Sequence, residues 1–251
     1  MNKPWKDPRT DGGSMRRFMM RPIGAPTVLA RGSRPDVDAT TRYRARVLDP
    51  AEVAQVFKDG HNNAKIGRRV TKGRLKGMPI YTLTLEERAT CPQTCAHWLS
   101  CYGNKMQWPF RHAHGEALEA AVERGVRLLS AKHPGGYLIR LHVLGDFYSV
   151  AYVRLWARLL DEHAALHVYG YTHRKPDSAI GALLDELSAH YWERFALRFS
   201  NAGMSERGAN TLWAGAGKDG IVCPAQQRKD VCCASCGLCW NTRRNIAFLH
   251  H

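Results

Sequence analysis

The 251-residue sequence has no run approaching the ~18 apolar residues that a membrane-spanning helix needs. Its N-terminus also lacks the apolar stretch of a secretory signal. The expectation is a cytoplasmic protein with no membrane partner. Acidic residues are scarce: 22 Asp and Glu face 37 Lys and Arg, a formal net charge of +15. That imbalance favours a polyanionic partner, DNA or RNA ahead of anionic membrane, with solubility alone as the bland alternative. No carboxylate cluster is present, which makes a hydrolytic nuclease the weakest reading. Helix-turn-helix and C2H2 zinc-finger spacings are missing too, so groove readout is not expected.

What is present is cysteine, eight residues in two short windows. In a reducing compartment such crowding argues for metal ligation rather than a disulfide framework. The first window, TCPQTCAHWLSCYG, places Cys91, Cys95 and Cys101 in a C-x3-C-x5-C pattern. Two fates are open. His97 closes a structural Cys3His zinc site, or the three thiolates hold a [4Fe-4S] cluster whose fourth iron stays free for substrate or cofactor. The second window puts Cys233, Cys236 and Cys239 in a C-x2-C-x2-C pattern, with Cys223 or Cys232 available as the fourth thiolate. Iron-sulfur is favoured there over zinc, which needs four thiolates as well.

Residues 1–45 form a basic, proline-interrupted extension, 46–220 the main domain and 221–251 a cysteine-rich metal-binding segment. Asp49-Pro50-Ala51-Glu52 resembles a helix start, with Val53, Val56 and Phe57 on one face. Lys65, Arg68, Arg69, Lys72, Arg74 and Lys76, interleaved with glycines, predict a turn or hairpin suited to phosphate contact. Alternation predicts a strand over 80–85, and the spacing of Leu118, Val122, Gly125 and Leu129 a helix from about Gly115 to Lys132. Strands follow at 137–144, 166–171 and 195–200, separated by helices opening near Ser149 and Asp177. The β-α-β-α-β-α-β repeat implies a parallel sheet, open or curled into a partial barrel, with ligands at the carboxyl ends of its strands. Just past those ends lie the cysteine loop, Gly145 and Asp146, Thr172 and His173, and Ser200 and Asn201, which should face one cavity.

The Thr90-Cys91-Pro92 start and Cys101-Tyr102 end of the loop, the run from Arg140 to Ser149 with Tyr152 and Trp156, and Tyr169-Gly170-Tyr171-Thr172 resemble the phage and prophage "gene product 88" family. The likeness spans roughly 78 to 239 and supplies no function. More remotely, the arrangement is similar to a radical S-adenosylmethionine (SAM) fold, with a three-cysteine loop after the first strand and a Gly-Asp element after the second. That resemblance implies a partial barrel in which Cys91, Cys95 and Cys101 hold a SAM-binding cluster. Gly145, Asp146, Ser200 and Asn201 would then contact SAM, with Asp146, Tyr148, Tyr171 and His173 orienting or deprotonating substrate. Cys223, Cys233, Cys236 and Cys239 would bind an auxiliary cluster. The competing expectation is a non-enzymatic nucleic-acid binder stapled by iron-sulfur or zinc sites.

Overall fold

The computed structural model describes residues 25–212, 220–228 and 230–249. The first half of the basic extension, including Arg16, Arg17 and Arg21, lies outside them. No described helix is long and apolar enough to cross a membrane. Ten strands are assigned: β1 Val47–Leu48, β2 Lys58–Asp59, β3 Ile80–Thr82, β4 Arg111–His112, β5 Tyr137–Leu141, β6 Leu166–Thr172, β7 Phe195–Ser200, β8 Gly208–Leu212, β9 Ile221–Val222 and β10 Ile246–Leu249. Three long helices separate the central strands: α1 Glu116–Lys132, α2 Val150–Glu162 and α3 Ala179–His190. Single-turn helices α4 Pro224–Gln227, α5 Cys233–Cys236 and α6 Leu238–Asn241 carry the second cysteine window.

Eight strands form one sheet in the order β2-β3-β5-β6-β7-β8-β10-β9. Every neighbouring pair is parallel except β2 with β3. The sheet is open and does not close into a barrel. From β3 to β8 its strands follow chain order, so the connections step the same way along the sheet, and α1, α2 and α3 share one face. Alternation then separates two cores. Tyr137, Ile139 and Leu141 of β5, Leu166 and Val168 of β6, and Phe195, Leu197 and Phe199 of β7 pack against the helices. Leu138, Tyr169 and Ala196 point the other way, into a second core with Ile66, Val70, Leu75, Cys232, Ala234, Cys239 and Trp240. The helices where apolar periodicity is strongest agree with the sequence reading. In α2, Ser149 Oγ accepts the Tyr152 N–H at 3.0 Å, and Tyr152, Val153, Trp156, Leu159 and Leu160 are fully buried. Each such side chain stabilises the fold by roughly 1.5–3 kcal/mol.

Three expectations need correction. No helix follows Pro50. Residues 49–57 are turns and bends, because Phe57 must reach beneath α1, where a side chain at Gly125 would meet its ring at 2.7 Å. The first strand ends at Thr82 rather than at Leu85, which pairs with His112 through an isolated bridge. The sheet has eight strands, not four. Strand β8 lies parallel to β7 and follows it through the loop 201–207, with Asn201 and Arg207 at φ 53° and 56°, and no amphipathic helix signals the addition.

Burial holds the His142 imidazole neutral, its pKa down to about 3, and holds His112 down to about 4, where Lys58 adds to the effect. Unfolded, both titrate near ~6.5, so unfolding takes up protons and stability should fall as pH drops from about 6.5 toward 4. Asp146 works in the opposite sense: burial raises its carboxyl to about 6, and its contribution falls as pH rises through that value. Urea unfolding at pH 7 and pH 5 is expected to show the histidine loss, reduced in His142→Phe. An unchanged slope in that variant would remove His142 as its source.

Candidate metal centres

The carboxyl ends of β3, β5 and β6 are tied into one knot. Asp146 N donates to Thr90 Oγ1 at 3.1 Å, and the Asp146 carboxylate accepts the N–H groups of Phe147 and His173 at 2.7 Å each and the Thr172 hydroxyl at 2.8 Å. Arg174 reaches back to donate to the Thr90 and Phe147 carbonyls at 2.6 and 2.7 Å. Gly145, at φ 84°, lets the β5 end approach this closely, since an added Cβ would lie 2.6 Å from both Leu85 Cβ and Thr90 Oγ1. His97 extends the contact to the next strand ends. Its Nε2 is 3.1 Å from Thr211 Oγ1, its ring sits edge-on to His173 at 5.9 Å, and Asn201 Oδ1 accepts the Thr211 N–H at 2.7 Å. The four predicted strand-end groups therefore converge. Asp146, however, acts as an acceptor hub rather than a helix cap, and Asn201 is engaged with β8.

The described part of the basic extension is a wrap around the first cysteine loop, not a loose tail. Leu29 N donates to Leu99 O at 2.9 Å, Trp98 Nε1 to Asp36 Oδ1 at 2.8 Å, and Asn104 Nδ2 to Thr27 O at 2.7 Å. Beneath the wrap, burial pushes the Cys91 and Cys101 thiols up and Cys95 up to about 12. The three thiols act on one another, Cys101 and Cys95 on Cys91 and Cys101 on Cys95. Backbone N–H groups of Arg88, His97 and Gly103 pull Cys91, Cys95 and Cys101 respectively back toward the thiolate. Arg88 adds its charge to Cys95 and Cys101. It is 3% exposed, and its Nη1 has no hydrogen-bond partner among the described residues.

The second window folds over the inner face of the sheet and docks on the basic hairpin. Cys233 N and Ala234 N donate to the Lys65 and Ile66 carbonyls at 2.8 and 2.9 Å, and Thr71 N donates to Ala234 O at 3.0 Å. Cys223, Cys233, Cys236 and Cys239 line one small cavity of about 10 Å³, with Pro224, Trp240 and Ile246 among its walls. Cys232 does not. It is fully buried as the N-cap of α5, its backbone N–H donating to Ser235 Oγ at 3.1 Å. Burial raises Cys223 to about 11 and raises Cys233 and Cys236, while N–H groups of Ala225 and Gln226 favour the Cys223 thiolate and that of Leu238 the Cys236 thiolate. All eight cysteines are free of disulfides.

Around this cavity lie cations that the sequence reading passed over. Arg140 stacks 4.2 Å from the Tyr171 ring centroid, and the Tyr171 hydroxyl is 2.7 Å from Cys239 Sγ. Arg198, fully buried, donates to the carbonyls of Cys239 and Arg244 at 3.1 and 2.8 Å. Arg140 is half-buried and Arg198 fully buried, and among the described residues neither is within ion-pair distance of a carboxylate. Their signal was available in the strand alternation, which sends residues 140 and 198 to the face opposite the helices.

Other predicted residues are placed less favourably. Tyr148 faces the helices, its hydroxyl donating to Glu119 Oε1 at 3.0 Å and its ring stacked on Tyr152 at 4.5 Å, so it does not join the strand-end knot. Tyr171 belongs to the second cysteine group, not the first. Burial lowers His173 to about 4, with His97 contributing. Ser200 ends β7, paired in register with Ala209. His97 is turned onto Thr211, and among the described residues no three His, Cys, Asp or Glu side chains are grouped to hold one metal ion. In the hairpin, Arg69 donates to the Gly77 carbonyl, Arg74 pairs with Glu193 at 2.8 Å and Arg68 approaches Asp59 at 3.9 Å, while Lys72 and Lys76 stay exposed.

No solved structure matches the chain. The Gene 88 protein of Mycobacterium phage L5 is 28% identical over 129 residues, which cover 44% of this chain and 54% of that protein. The chain thus spans about half the length of the curated relative it matches. A family model, Gene product 88, matches residues 55–212, a span that holds the first cysteine loop and the strand-end knot and stops before the second window. On that match, the chain belongs to the gene product 88 family.

Proposed function

We propose that this chain is an iron-sulfur protein. Cys223, Cys233, Cys236 and Cys239 hold a [4Fe-4S] cluster, and Cys91, Cys95 and Cys101 hold a second with one iron left open. The observation that carries the reading is four cysteines lining one cavity, flanked by Arg140 and Arg198 without carboxylate partners. A buried cation is costly unless an anion compensates it, and cysteine thiolates bound to a cluster are anionic. A single zinc would draw four sulfurs to about 3.8 Å from one another, given Zn–S bonds of ~2.3 Å. A cubane spreads them over four irons, so four cysteines around it stand farther apart than around one zinc.

An open iron supplies a coordination position and an electron, the chemistry by which SAM is cleaved reductively. Parallel strands in chain order with a three-cysteine loop at the carboxyl end of β3 support that radical-SAM-like reading. In it Asp146 and Asn201 hold the loops that shape the site, since their polar atoms are already engaged. The test is anaerobic purification with iron and sulfide analysis, then electron paramagnetic resonance with and without SAM. Zinc alone overturns the cluster reading. Iron and sulfide with a reduced spectrum indifferent to SAM overturns the enzymatic part and leaves a cluster-stapled, non-enzymatic protein.

A second reading, nucleic-acid binding, is favoured by the outer surface of the same layer. Gly73 abuts Asn241, which brings exposed Lys72 and Lys76 beside the Arg243-Arg244 turn. Binding to a DNA or RNA duplex is expected to weaken steeply with salt, and Lys72→Ala with Lys76→Ala to lower the log-log salt slope by about two. An unchanged slope would remove this hairpin from the interface.

A further inference from the structure

We propose that the exposed corner formed by Trp108 and Phe110, flanked by Arg46 and Lys58, is a stacking platform for a single-stranded nucleic acid. The platform depends neither on the clusters nor on duplex binding by the Lys72 and Lys76 hairpin. Trp108 is 72% exposed and Phe110 36%, although aromatic side chains have the most area to gain from burial. Arg46 lies 5.8 Å from the Trp108 ring centroid and 5.1 Å from that of Phe110, and Lys58 Nζ lies 5.0 Å from the Phe110 centroid. Among the described residues neither cation is within ion-pair distance of a carboxylate, whereas Arg44 is paired with Asp38 at 2.7 Å. A lone exposed ring is ordinary on a protein surface, but two rings bracketed by two cations without counter-ions form a patch with both shape and charge.

The corner is held in place by the interior. Parallel β1 and β4 pair Val47 with Arg111, which sets Arg46 beside Phe110. Arg111 donates to the Pro109 carbonyl at 2.7 Å and ties the corner to the buried Glu87. At the start of the same loop the Tyr43 hydroxyl donates to the Asn104 carbonyl at 2.6 Å. Rings braced in this way lose little freedom on binding. An unpaired base offers a planar face to a ring and its phosphate a charge to the cation beside it, and such stacking tolerates any sequence. In a duplex those faces are covered by neighbouring bases. An apolar peptide would cover the rings but desolvate Arg46 and Lys58 without an anion. The formal charge of +15 also favours the polyanion.

The test is fluorescence anisotropy of the full chain with a labelled oligothymidylate and with a labelled duplex of the same length. Neither contact uses a 2′-hydroxyl, so a DNA probe suffices. Trp108→Ala is expected to weaken oligothymidylate binding about tenfold, as the loss of one stacked base implies, and to leave duplex binding unchanged. Trp108→Phe keeps a ring and should stay close to the unsubstituted protein, whereas Trp108→Leu, apolar but not planar, should lose as much as Trp108→Ala. Arg46→Gln should lower the log-log salt slope on the single strand by about 0.7. Unchanged urea midpoints are expected for the Trp108 variants, since that side chain is exposed. Full single-strand affinity in Trp108→Ala, a Trp108→Leu that binds as well as Trp108→Phe, or equal weakening on both probes would each overturn the platform. A chain that binds the duplex but not the oligothymidylate overturns it too and leaves the hairpin reading standing. Binding of the single strand alone, lost in Trp108→Ala, supports the platform and removes the hairpin.

Discussion

Glu87→Ala is expected to lower the unfolding free energy by about 3–5 kcal/mol, the cost of stranding a buried charge. Glu87 and Arg111 are 1% and 0% exposed, with Nε and Oε2 2.7 Å apart. Glu87 Oε1 also accepts the Thr41 hydroxyl at 2.7 Å, which fastens the N-terminal wrap. Arg111 in turn donates to the Met106 and Pro109 carbonyls at 2.9 and 2.7 Å, fixing the chain that leaves Cys101. Without Glu87 the guanidinium stays in the interior with no anion, and the turn after the third cysteine loses its anchor. Glu87→Gln keeps an acceptor for Arg111 Nε and should fall between the two. Urea unfolding of the three proteins checks this, and a loss below ~1 kcal/mol in Glu87→Ala would show that Arg111 is solvated or compensated elsewhere.

Substitution within the second cysteine window should divide sharply. Serine at any of Cys223, Cys233, Cys236 or Cys239 is expected to remove about four irons and four sulfides per chain, the content of one cubane. Cys232→Ser should leave the content unchanged, because that side chain caps α5 and lies outside the cavity. The same four variants are expected to be less stable than Cys232→Ser, since a cluster bound only by the folded chain stabilises it and is lost with any one of its ligands. Iron retained in Cys223→Ser but lost in Cys232→Ser would reassign the fourth ligand and overturn the geometry described above.

The central repeat was legible because its signals are local. Leu118, Val122 and Leu129 of α1 and Tyr152, Val153 and Trp156 of α2 recur at helical spacing, and each is buried. β7 runs over Phe195–Ser200 as its alternation predicts. The convergence of Thr90, Asp146, His173 and Asn201 followed from parallel topology alone, since every crossover returns the chain in the same direction. The Asp49–Phe57 helix failed where a local signal met a tertiary demand, Phe57 being drawn under Gly125. β8, β9 and β10 were illegible because they are short, partly polar and paired out of chain order.

By itself, then, the sequence determined the number and identity of the metal-ligand candidates, the parallel β/α core and the basic charge of the hairpin. Composition and periodicity report what each residue needs around it, and those needs are met within one element and its neighbours. Only the tertiary structure decided that Cys223 rather than Cys232 faces the cavity, that His97 turns to Thr211, and that the hairpin carrying Lys72 docks on Cys233 and Ala234 through backbone hydrogen bonds. It also decided that the half-buried Arg140 stacks on Tyr171 and that the fully buried Arg198 donates to the Cys239 carbonyl. These pairings join segments far apart in the chain, and they depend on the register in which β10 enters the sheet between β8 and β9, which no local pattern encodes.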